Sequence, residues 1–363
     1  MRSHGADTAS GTSPDAFQRD MLAAVSRTFA LTIPQLPEAL RGVVGNAYLL
    51  CRIADTIEDE SALPAERKQA FLARFVAVVE AADVIAAEAF GAELAPLLQV
   101  DATPAEVTLV RHSAAVVAVF GGFSAAQQAA LRHCVRVMCD GMPRFDRDAS
   151  LAGLADHAAL DRYCYHVAGV VGEMLTLLFC DHVATLAPRR ARMLALGVSF
   201  GQGLQMVNIL KDVWEDRRRG VCWLPRDVFA RAGVDLATLD ERQPPAAFGA
   251  AYARLIATAH RHLHDGLVYT LLVPAEQTGI RRFCLLALGL AVQTLQSIHR
   301  NPGFTRGSDV KITRPMVAGT MLKTRLLAAH DQPLRHWFER LGRGLPLAGE
   351  RHEGVPAARE CLG

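Results

Sequence analysis

Long segments of helix-favouring residues, each ended by Pro or Gly, constrain the fold of this chain more than any other feature. Ala, Leu, Arg, Glu and Gln, all good helix formers, dominate these segments. No run alternates at the period of a strand with β-branched residues on one face. The predicted helices cover residues 15–30, 37–59, 64–88, 104–119, 124–140, 151–180, 188–216, 247–271, 279–300 and 314–341. The pattern therefore predicts an all-α protein.

Composition and charge exclude several classes of protein. Hydrophobic residues make up 51% of the 363 residues and charged residues 21%, which excludes a disordered chain. The formal net charge of +2 gives no indication of nucleic-acid binding, so none is expected. None of the eight cysteines forms a Cys-x-x-Cys pair, so reduced thiols are expected instead of disulfides or a zinc site.

The ends of the sequence and its longest apolar stretch bear on location and domain organisation. Residues Met1–Asp15 lack the apolar run of a secretory signal, so a cytoplasmic protein is expected. The stretch Phe283–Val292 is about half of the ~20 residues that a spanning helix needs. Length alone suggests two domains, but the linkers are short and no change in composition marks a boundary. We therefore expect one helical domain, residues 15–342, between flexible tails at 1–14 and 343–363.

The first of two acidic segments is Tyr48-Leu-Leu-Cys-Arg-Ile-Ala-Asp-Thr-Ile-Glu-Asp59. Asp55 and Asp59 are four residues apart, so a helix places both carboxylates on one face. Arg52, three residues before Asp55, shares that face. This spacing predicts a polar stripe on an otherwise apolar helix.

The second acidic segment, Gln205-Met-Val-Asn-Ile-Leu-Lys-Asp-Val-Trp-Glu-Asp216, has a related pattern. Asn208, Asp212 and Asp216 follow one another at intervals of four residues, which again forms one stripe. Apolar residues fill the positions between them, as they do in the first segment. Three arginines follow directly, at 217–219.

Like charges four residues apart repel each other, so such stripes require an explanation. One explanation is a solvated surface, because acidic pairs with arginine nearby are common on exposed helices. The other is a pair of facing stripes that bind Mg²⁺, a hard cation that prefers oxygen ligands and substrate phosphates. Either segment alone favours the surface, whereas the two together favour a magnesium–diphosphate site inside a helical cavity.

Several ordered motifs make the sequence resemble the squalene/phytoene synthase family, the head-to-head trans-isoprenyl diphosphate synthases. The resemblance covers roughly residues 17–325. The motifs are Ser26-Arg-Thr-Phe29, Asp55-Thr-Ile-Glu-Asp59, Tyr163-Cys-Tyr-His-Val-Ala-Gly-Val-Val-Gly172, Gln205 to Asp216, and Arg282-Phe-Cys-Leu-Leu-Ala-Leu-Gly-Leu-Ala291. The resemblance implies the isoprenoid-synthase fold, a single helical domain around a central cavity, with Mg²⁺ and two prenyl diphosphates as ligands.

The resemblance also implies roles for individual residues. Catalytic roles are implied for Tyr163, Arg52, Asp55, Asp59, Asp212, Asp216 and Tyr269, and metal binding for Asp55, Asp59, Asn208, Asp212 and Asp216. Substrate contacts are implied for Ser26, Arg27, Phe29, Tyr48, Arg52, Val167, Leu204, Gln205, Asn208, Lys211 and Phe283. Without the motifs, Tyr163 and Phe283 would be interpreted as core residues, and Ser26 as a helix N-cap.

One position departs from the family pattern. Val221 stands where the family often has Arg, before the Trp-Leu-Pro element that ends at Pro225. Arg217–Arg219 are candidate substitutes, although such a run alone is typical of a solvated helix end. The phosphate-binding role of this loop is therefore left open.

Two features favour a squalene synthase within the family. The first motif ends in Thr-Ile-Glu-Asp59, and Val310-Lys-Ile-Thr-Arg314 is similar to the segment near the squalene synthase nicotinamide site. The expected reaction joins two farnesyl diphosphates through presqualene diphosphate and reduces the product with NADPH, with Lys311 and Arg314 as cofactor contacts. Because the substrates are lipidic, peripheral contact with a membrane is compatible with this function.

Three alternatives stay open at this point. A phytoene, dehydrosqualene or presqualene-diphosphate synthase would use the same motifs without the reduction. A non-catalytic helical protein would be expected to lack some of the Asp and Asn residues, and all five are present. A di-iron bundle would need paired Glu-x-x-His motifs, and none is apparent.

Overall fold

The computed structural model describes residues 13–26, 28–240 and 244–348, except for the side chains of 146–148. The α-helices in this part of the chain are α1 Pro14–Val25, α2 Phe29–Thr32, α3 Glu38–Asp59, α4 Ala65–Ala81, α5 Val84–Leu94, α6 Pro104–Arg111, α7 Ser113–Gly121, α8 Ala125–Asp148, α9 His157–Cys164, α10 Val170–His182, α11 Arg190–Arg218, α12 Arg226–Ala230, α13 Ala246–Leu272, α14 Thr278–Arg300, α15 Arg314–Leu327 and α16 Asp331–Leu341. Short 3₁₀ turns cover Ile33–Gln35, Ala95–Leu97, Ala184–Arg189 and Gly307–Val310, and a π-helical turn covers Tyr165–Gly169. Within the described ranges the only β-type pairing is an isolated bridge between Leu154 and Pro225, which confirms the all-α prediction.

Local capping divides several of the predicted helices. The predicted helix 64–88 is interrupted at Ala82, whose left-handed φ of 50° ends α4, and the Asp83 side chain then caps the first turn of α5. The predicted helix 15–30 ends before Ser26, whose Oγ accepts a hydrogen bond of 2.9 Å from the Phe29 amide. The predicted helix 314–341 is interrupted between α15 and α16.

A continuous hydrophobic core connects nearly all of the described chain, from Met21 to Leu345. Helix α11 packs against α10, α13 and α14, and α3 packs against α1, α4, α7 and α8. The long α11 is therefore surrounded by other helices, and one side of it is available to line an internal space.

Glycines let α10 and α11 approach each other closely. A Cβ atom on Gly172 would lie 2.0 Å from the carbonyl oxygen of Gly197, and one on Gly201 would lie 2.2 Å from that of Ala168. No side chain fits at these distances, because the opposing atoms belong to the backbone. The two helices are therefore locked backbone to backbone beside the internal space.

Residues 343–348, which the sequence analysis assigns to a tail, contact the helical domain. The Gln296 side chain donates a hydrogen bond of 2.8 Å to the Arg343 carbonyl, and the Arg261 guanidinium donates one of 2.9 Å to that of Ala348. Leu345 is buried. The predicted tail segments 1–12 and 349–363 lie outside the described residues.

Three helical segments are long and apolar enough, by length and composition, to cross a membrane: His157–His182, Ala184–Arg218 and Thr278–Arg300. This differs from the sequence-based expectation for Phe283–Val292, since α14 extends the apolar stretch in both directions. In the α14 segment 72% of the relevant window is buried inside the protein, so packing with other helices accounts for its apolar character.

The glycine contact gives a stability prediction. We expect Gly172→Ala to destabilise the protein by about 1–3 kcal/mol, because α10 and α11 must move apart to admit the methyl group. Gly249→Ala is the matched control, since its Cβ would meet no atom within 4 Å, and we expect it to stabilise helix α13 by about 0.5–1 kcal/mol. Urea denaturation of both variants measures the difference, and equal stabilities would contradict the close-packing account.

Candidate active site

A cavity of about 520 Å³ lies among α3, α10, α11, α13 and α14. Its volume falls within the roughly 300–1,000 Å³ of small-molecule sites. Most of the site residues that the sequence predicts line it: Phe29, Tyr48, Arg52, Asp55, Asp59, Tyr163, Val167, Leu204, Gln205, Asn208, Lys211, Asp212, Tyr269 and Phe283. Residues from motifs far apart in the sequence are thus brought together.

The remaining predicted residues lie elsewhere. Asp216 is one turn beyond Asp212, outside the lining but close enough to Asp59 for their charges to interact. Ser26 is buried, its Oγ accepts a hydrogen bond from the Phe29 amide at the start of α2, and it does not line the cavity. Lys311 and Arg314 are exposed and do not line the cavity. Arg27 lies outside the described residues.

The carboxyl end of α3 is fixed in place by contacts with the next helices. The Lys68 ammonium donates a hydrogen bond to the Glu58 carbonyl in the last turn. The buried Glu60 carboxylate, directly after the helix, accepts hydrogen bonds of 3.1 Å from the amides of Ala62 and Val100. These contacts fix the direction in which the first acidic stripe points.

Arg52 is held between Tyr48 and Glu106. Its Nη2 donates a hydrogen bond of 3.0 Å to the Tyr48 hydroxyl, and its Nη1 lies 3.6 Å from Glu106 Oε1. The Tyr48 ring in turn packs against Phe29, with 4.8 Å between the ring centroids. The guanidinium therefore faces the cavity in a defined orientation beside Asp55.

The pKa values of four acidic side chains in the two stripes are raised. Burial raises the pKa of Asp55 to about 7 against the opposing effect of Arg52, and burial together with Asp212 raises the pKa of Asp216 to about 7. Burial also raises the pKa values of Asp59 and Asp212. Asp55 and Asp216 are half-buried, so surrounding protein atoms reduce the stabilisation of their charge by water.

The second acidic stripe lies on α11 and contacts the turn that begins at Gly307. Lys211 Nζ lies 3.0 Å from Asp212 Oδ2. Glu215 Oε1 accepts a hydrogen bond of 2.7 Å from the Gly307 amide. Glu215 Oε2 is buried and has no hydrogen-bond partner in the described part of the protein. A buried carboxylate oxygen in this state favours a cation nearby.

The residues present fit Mg²⁺ delivered with a diphosphate. The donors are oxygen atoms, their pKa values are raised by burial, and Glu215 Oε2 lacks a partner. In the described ranges no three His, Cys, Asp or Glu side chains form a preassembled metal site. Magnesium commonly keeps waters and uses one or two carboxylates plus substrate phosphates, so this arrangement suits it.

The other part of the cavity is apolar and aromatic. Phe179 and Phe283 meet edge to face with 6.2 Å between ring centroids, and Phe200 lies 6.3 Å from the Tyr269 ring. The Tyr269 hydroxyl is 3.0 Å from Thr176 Oγ1, and burial raises its pKa well above the usual value. This region offers a water-poor surface next to the acidic groups.

Tyr163 lies beside the π-helical turn and stacks on Trp223. The two rings are 4.2 Å apart and nearly parallel, at 6°. Burial raises the pKa of Tyr163 well above its ordinary value, and Glu58 adds to this shift, so its hydroxyl keeps its proton. Turns of this type occur frequently at functional sites.

The three arginines after the second stripe differ in their contacts. Arg217 donates hydrogen bonds to the carbonyls of Leu236 and Leu239, at 2.8 and 3.0 Å, and Arg218 donates one to that of Thr305. The charge of Arg219 opposes the pKa rise of Asp59, Asp212 and Asp216. The run lies at the end of α11 with Arg218 and Arg219 exposed, as a solvated helix end predicts, while Arg217 is half-buried.

Several lining residues were not predicted from the sequence: Cys51, Glu58, Met174, Phe179 and Phe200. Glu58 is three residues after Asp55, so the spacing of the first stripe contained the signal for it. The apolar lining residues could not be distinguished from core residues in the sequence, because the walls of a cavity and a hydrophobic core are both made of apolar side chains.

Comparison with known proteins agrees with this geometry. The chain matches the squalene/phytoene synthase family model over residues 22–315 and belongs to that family. It is 29% identical over 296 residues to the Botryococcus squalene synthase of Botryococcus braunii, and 28% identical over 295 residues to the squalene synthase ERG9 of Gibberella zeae. Each alignment covers 80% of this chain and 59% of the relative, so the chain spans somewhat more than half the length of these relatives.

A solved structure shows a similar fold. The complex of TcSQS with the ligand E5700 superimposes with a TM-score of 0.73 at 25% sequence identity, and the match covers 90% of this chain and 91% of that one. Together with the family match, this confirms the fold class that the motifs predicted.

The raised pKa values of Asp55 and Asp216 predict how the free energy of unfolding depends on pH when no metal is bound. The folded state keeps protons on Asp55 and Asp216 up to about pH 7, whereas the unfolded chain releases them near the ordinary value of 3.8. The free energy of unfolding should therefore fall as the pH rises through this range. Asp55→Asn removes one such group, so we expect it to raise the Tm at about pH 8 and to flatten the pH profile.

Calorimetry in the presence of a chelator measures this effect. Asp181→Asn, an exposed position on α10, serves as the control and should leave the profile unchanged. A lower Tm for Asp55→Asn at neutral pH would contradict the account of a desolvated carboxylate.

Proposed function

We propose that this protein is a squalene synthase, which joins two molecules of farnesyl diphosphate head to head through presqualene diphosphate and reduces the product to squalene. The observation that carries the proposal is the composition of the cavity wall. Acidic side chains from α3 and α11 line one part of the cavity, and aromatic and aliphatic side chains line the rest. This division matches a substrate with a charged diphosphate and an apolar chain. The names of the curated relatives support the same reaction.

The acidic stripes and their basic neighbours would bind the diphosphates. Asp55 and Asp59 on α3, with Asn208, Asp212 and Asp216 on α11, are the proposed Mg²⁺ ligands. Arg52 and Lys211 line the same space and would donate charge-assisted hydrogen bonds to phosphate oxygens. When bound, Mg²⁺ supplies positive charge opposite the negative charge that develops on the leaving diphosphate.

The apolar walls would protect the reactive carbon centres. Loss of diphosphate from one chain leaves an allylic cation, which the double bond of the second chain attacks before a proton is lost. Water would trap this cation as an alcohol, so the reaction needs a dry surface. Phe29, Val167, Leu204 and Phe283 supply that surface, while Tyr163 and Tyr269 place protonated hydroxyls beside it.

The final reduction requires a hydride, which NADPH supplies when bound. Lys311 and Arg314 are exposed, and no ion-pair partner is found for either in the described ranges, so both are available for the phosphates of a dinucleotide. They follow the turn that begins at Gly307, which contacts the second acidic stripe. The proposed reductant residues therefore follow directly after a turn that contacts the proposed diphosphate site.

A second candidate is a phytoene, dehydrosqualene or presqualene-diphosphate synthase, which omits the reduction. The observation that favours it is the position of Lys311 and Arg314 outside the cavity lining. The condensation machinery would be the same in either case.

We further propose that the protein is cytoplasmic and contacts membranes at their surface. The seven cysteines in the described ranges are free thiols, as is usual in a reducing compartment. On α15, Leu322 and Leu326 are exposed one turn apart, with Lys323 and Arg325 beside them. An apolar and basic face of this kind suits an anionic lipid surface.

Substitution of the acidic residues tests the assignment of metal ligands. We expect Asp55→Ala and Asp212→Ala each to lower turnover of farnesyl diphosphate with Mg²⁺ by about a hundredfold or more, because the leaving group loses its counter-charge. Asp181→Ala, at an exposed position on α10, is the matched control. Near-wild-type turnover in either cavity variant would refute the assignment.

Product analysis distinguishes the two candidate functions. Farnesyl diphosphate and Mg²⁺ are incubated with the wild-type protein, with and without NADPH, and the extracted lipids are identified. We expect squalene only when NADPH is present. Accumulation of presqualene diphosphate, dehydrosqualene or phytoene in the presence of NADPH would favour the second candidate.

A further inference from the structure

The turn Gly307–Val310 lies directly against the second acidic stripe. The Gly307 amide donates its 2.7 Å hydrogen bond to Glu215, and the residue is buried. A Cβ atom on Gly307 would lie 2.8 Å from Asp212 Oδ1 and 3.2 Å from the Lys211 carbonyl oxygen. The backbone of this turn therefore contacts two acidic side chains of α11 at once.

The backbone conformation does not require glycine at this position. The glycines with positive φ in the described ranges are Gly153, Gly220, Gly233 and Gly344, and Gly307 is not among them. An L-residue could thus adopt the conformation of Gly307 without strain. The reason for a glycine here is the space that the Asp212 carboxylate occupies.

The turn itself is held in place by contacts that do not involve the stripe. Asp309 Oδ2 accepts hydrogen bonds from the amides of Thr305 and Arg306, at 3.2 and 3.0 Å. Phe304, which precedes the turn, and Val310, which is its last residue, are buried. A turn anchored in this way can fix the groups that it contacts.

We propose that Gly307 is a positioning residue, whose backbone fixes Glu215 and leaves room for the neighbouring Asp212 carboxylate, so that Asp212 is oriented to bind a magnesium–diphosphate group. The inference rests on the proposed function and adds a residue that contacts neither substrate nor metal itself. Glu215 accepts a hydrogen bond from the Gly307 amide, and Asp212 occupies the volume that a side chain at 307 would fill. Loss of a group that orients a metal ligand typically lowers metal affinity by about 10- to 100-fold.

The structure indicates what a methyl group at 307 would displace. The Lys211 carbonyl belongs to the backbone of α11 and can shift only by a few tenths of an ångström, whereas Asp212 Oδ1 is the end of a side chain that can rotate. The carboxylate would therefore turn away while the fold is kept. The expected effect is a loss of ligand binding without a loss of stability.

Isothermal titration of inorganic diphosphate in the presence of Mg²⁺ tests the inference. We expect Gly307→Ala to weaken binding by about tenfold or more, with the Tm of the ligand-free protein close to that of the wild type. Gly303→Ala is the matched control in the same segment, because its Cβ would meet no atom within 4 Å, and it should bind like the wild type. Equal affinities of the two variants would overturn the inference.

A second pair of variants tests the role of the turn without adding volume at 307. We expect Asp309→Ala to weaken diphosphate binding by roughly three- to tenfold, because the turn loses its anchor, while Asp309→Asn retains an acceptor oxygen and restores affinity. Wild-type affinity for Asp309→Ala would contradict a positioning role.

If the wild-type protein itself failed to bind diphosphate with Mg²⁺, both the proposed function and this inference would be contradicted. If the wild type binds and only the variant effects are missing, the inference alone fails.

Discussion

The partial burial of carboxylates on α3 and α11 is the constraint on which the rest of this structure depends. Burial is the main cause that raises the pKa of Asp216, and the charges of Asp212 on the same helix and of Asp59 on α3 add to it. Such an arrangement opposes folding in the absence of a cation. A bound positive charge would relieve this cost, as the proposed magnesium site requires.

The helical framework holds these charges in place from several sides. Glu60 and Lys68 fix the end of α3, and the glycines of α10 and α11 lock those helices together beside the cavity. The turn at Gly307 meets the second stripe from another direction. Because the charged groups cannot move apart freely, the cavity keeps a polar part next to an apolar part, as the proposed prenyl diphosphate substrate requires.

The sequence was sufficient to predict what depends on local spacing. The two stripes follow from intervals of four residues in a helix, and the all-α fold follows from helix-favouring segments between Pro and Gly. The left-handed residue Ala82 and the π-helical turn at Tyr165–Gly169 were not predicted, because tertiary packing determines such irregularities. The contact of Gly307 with Asp212 joins residues 95 positions apart, and no periodic pattern records a contact of this kind. The different partners of Arg217 and Arg219 also depend on tertiary structure.

The central claim is that both acidic stripes hold a magnesium–diphosphate group while the apolar walls hold the prenyl chain. A crystal structure with Mn²⁺, used as an anomalous scatterer in place of Mg²⁺, and an unreactive thio analogue of farnesyl diphosphate tests this claim most directly. We expect anomalous peaks beside Asp55 and Asp59 and beside Asp212 and Asp216, with the prenyl chain passing Phe29, Val167 and Phe283. Metal bound away from both stripes, or a prenyl chain outside the cavity, would contradict the account.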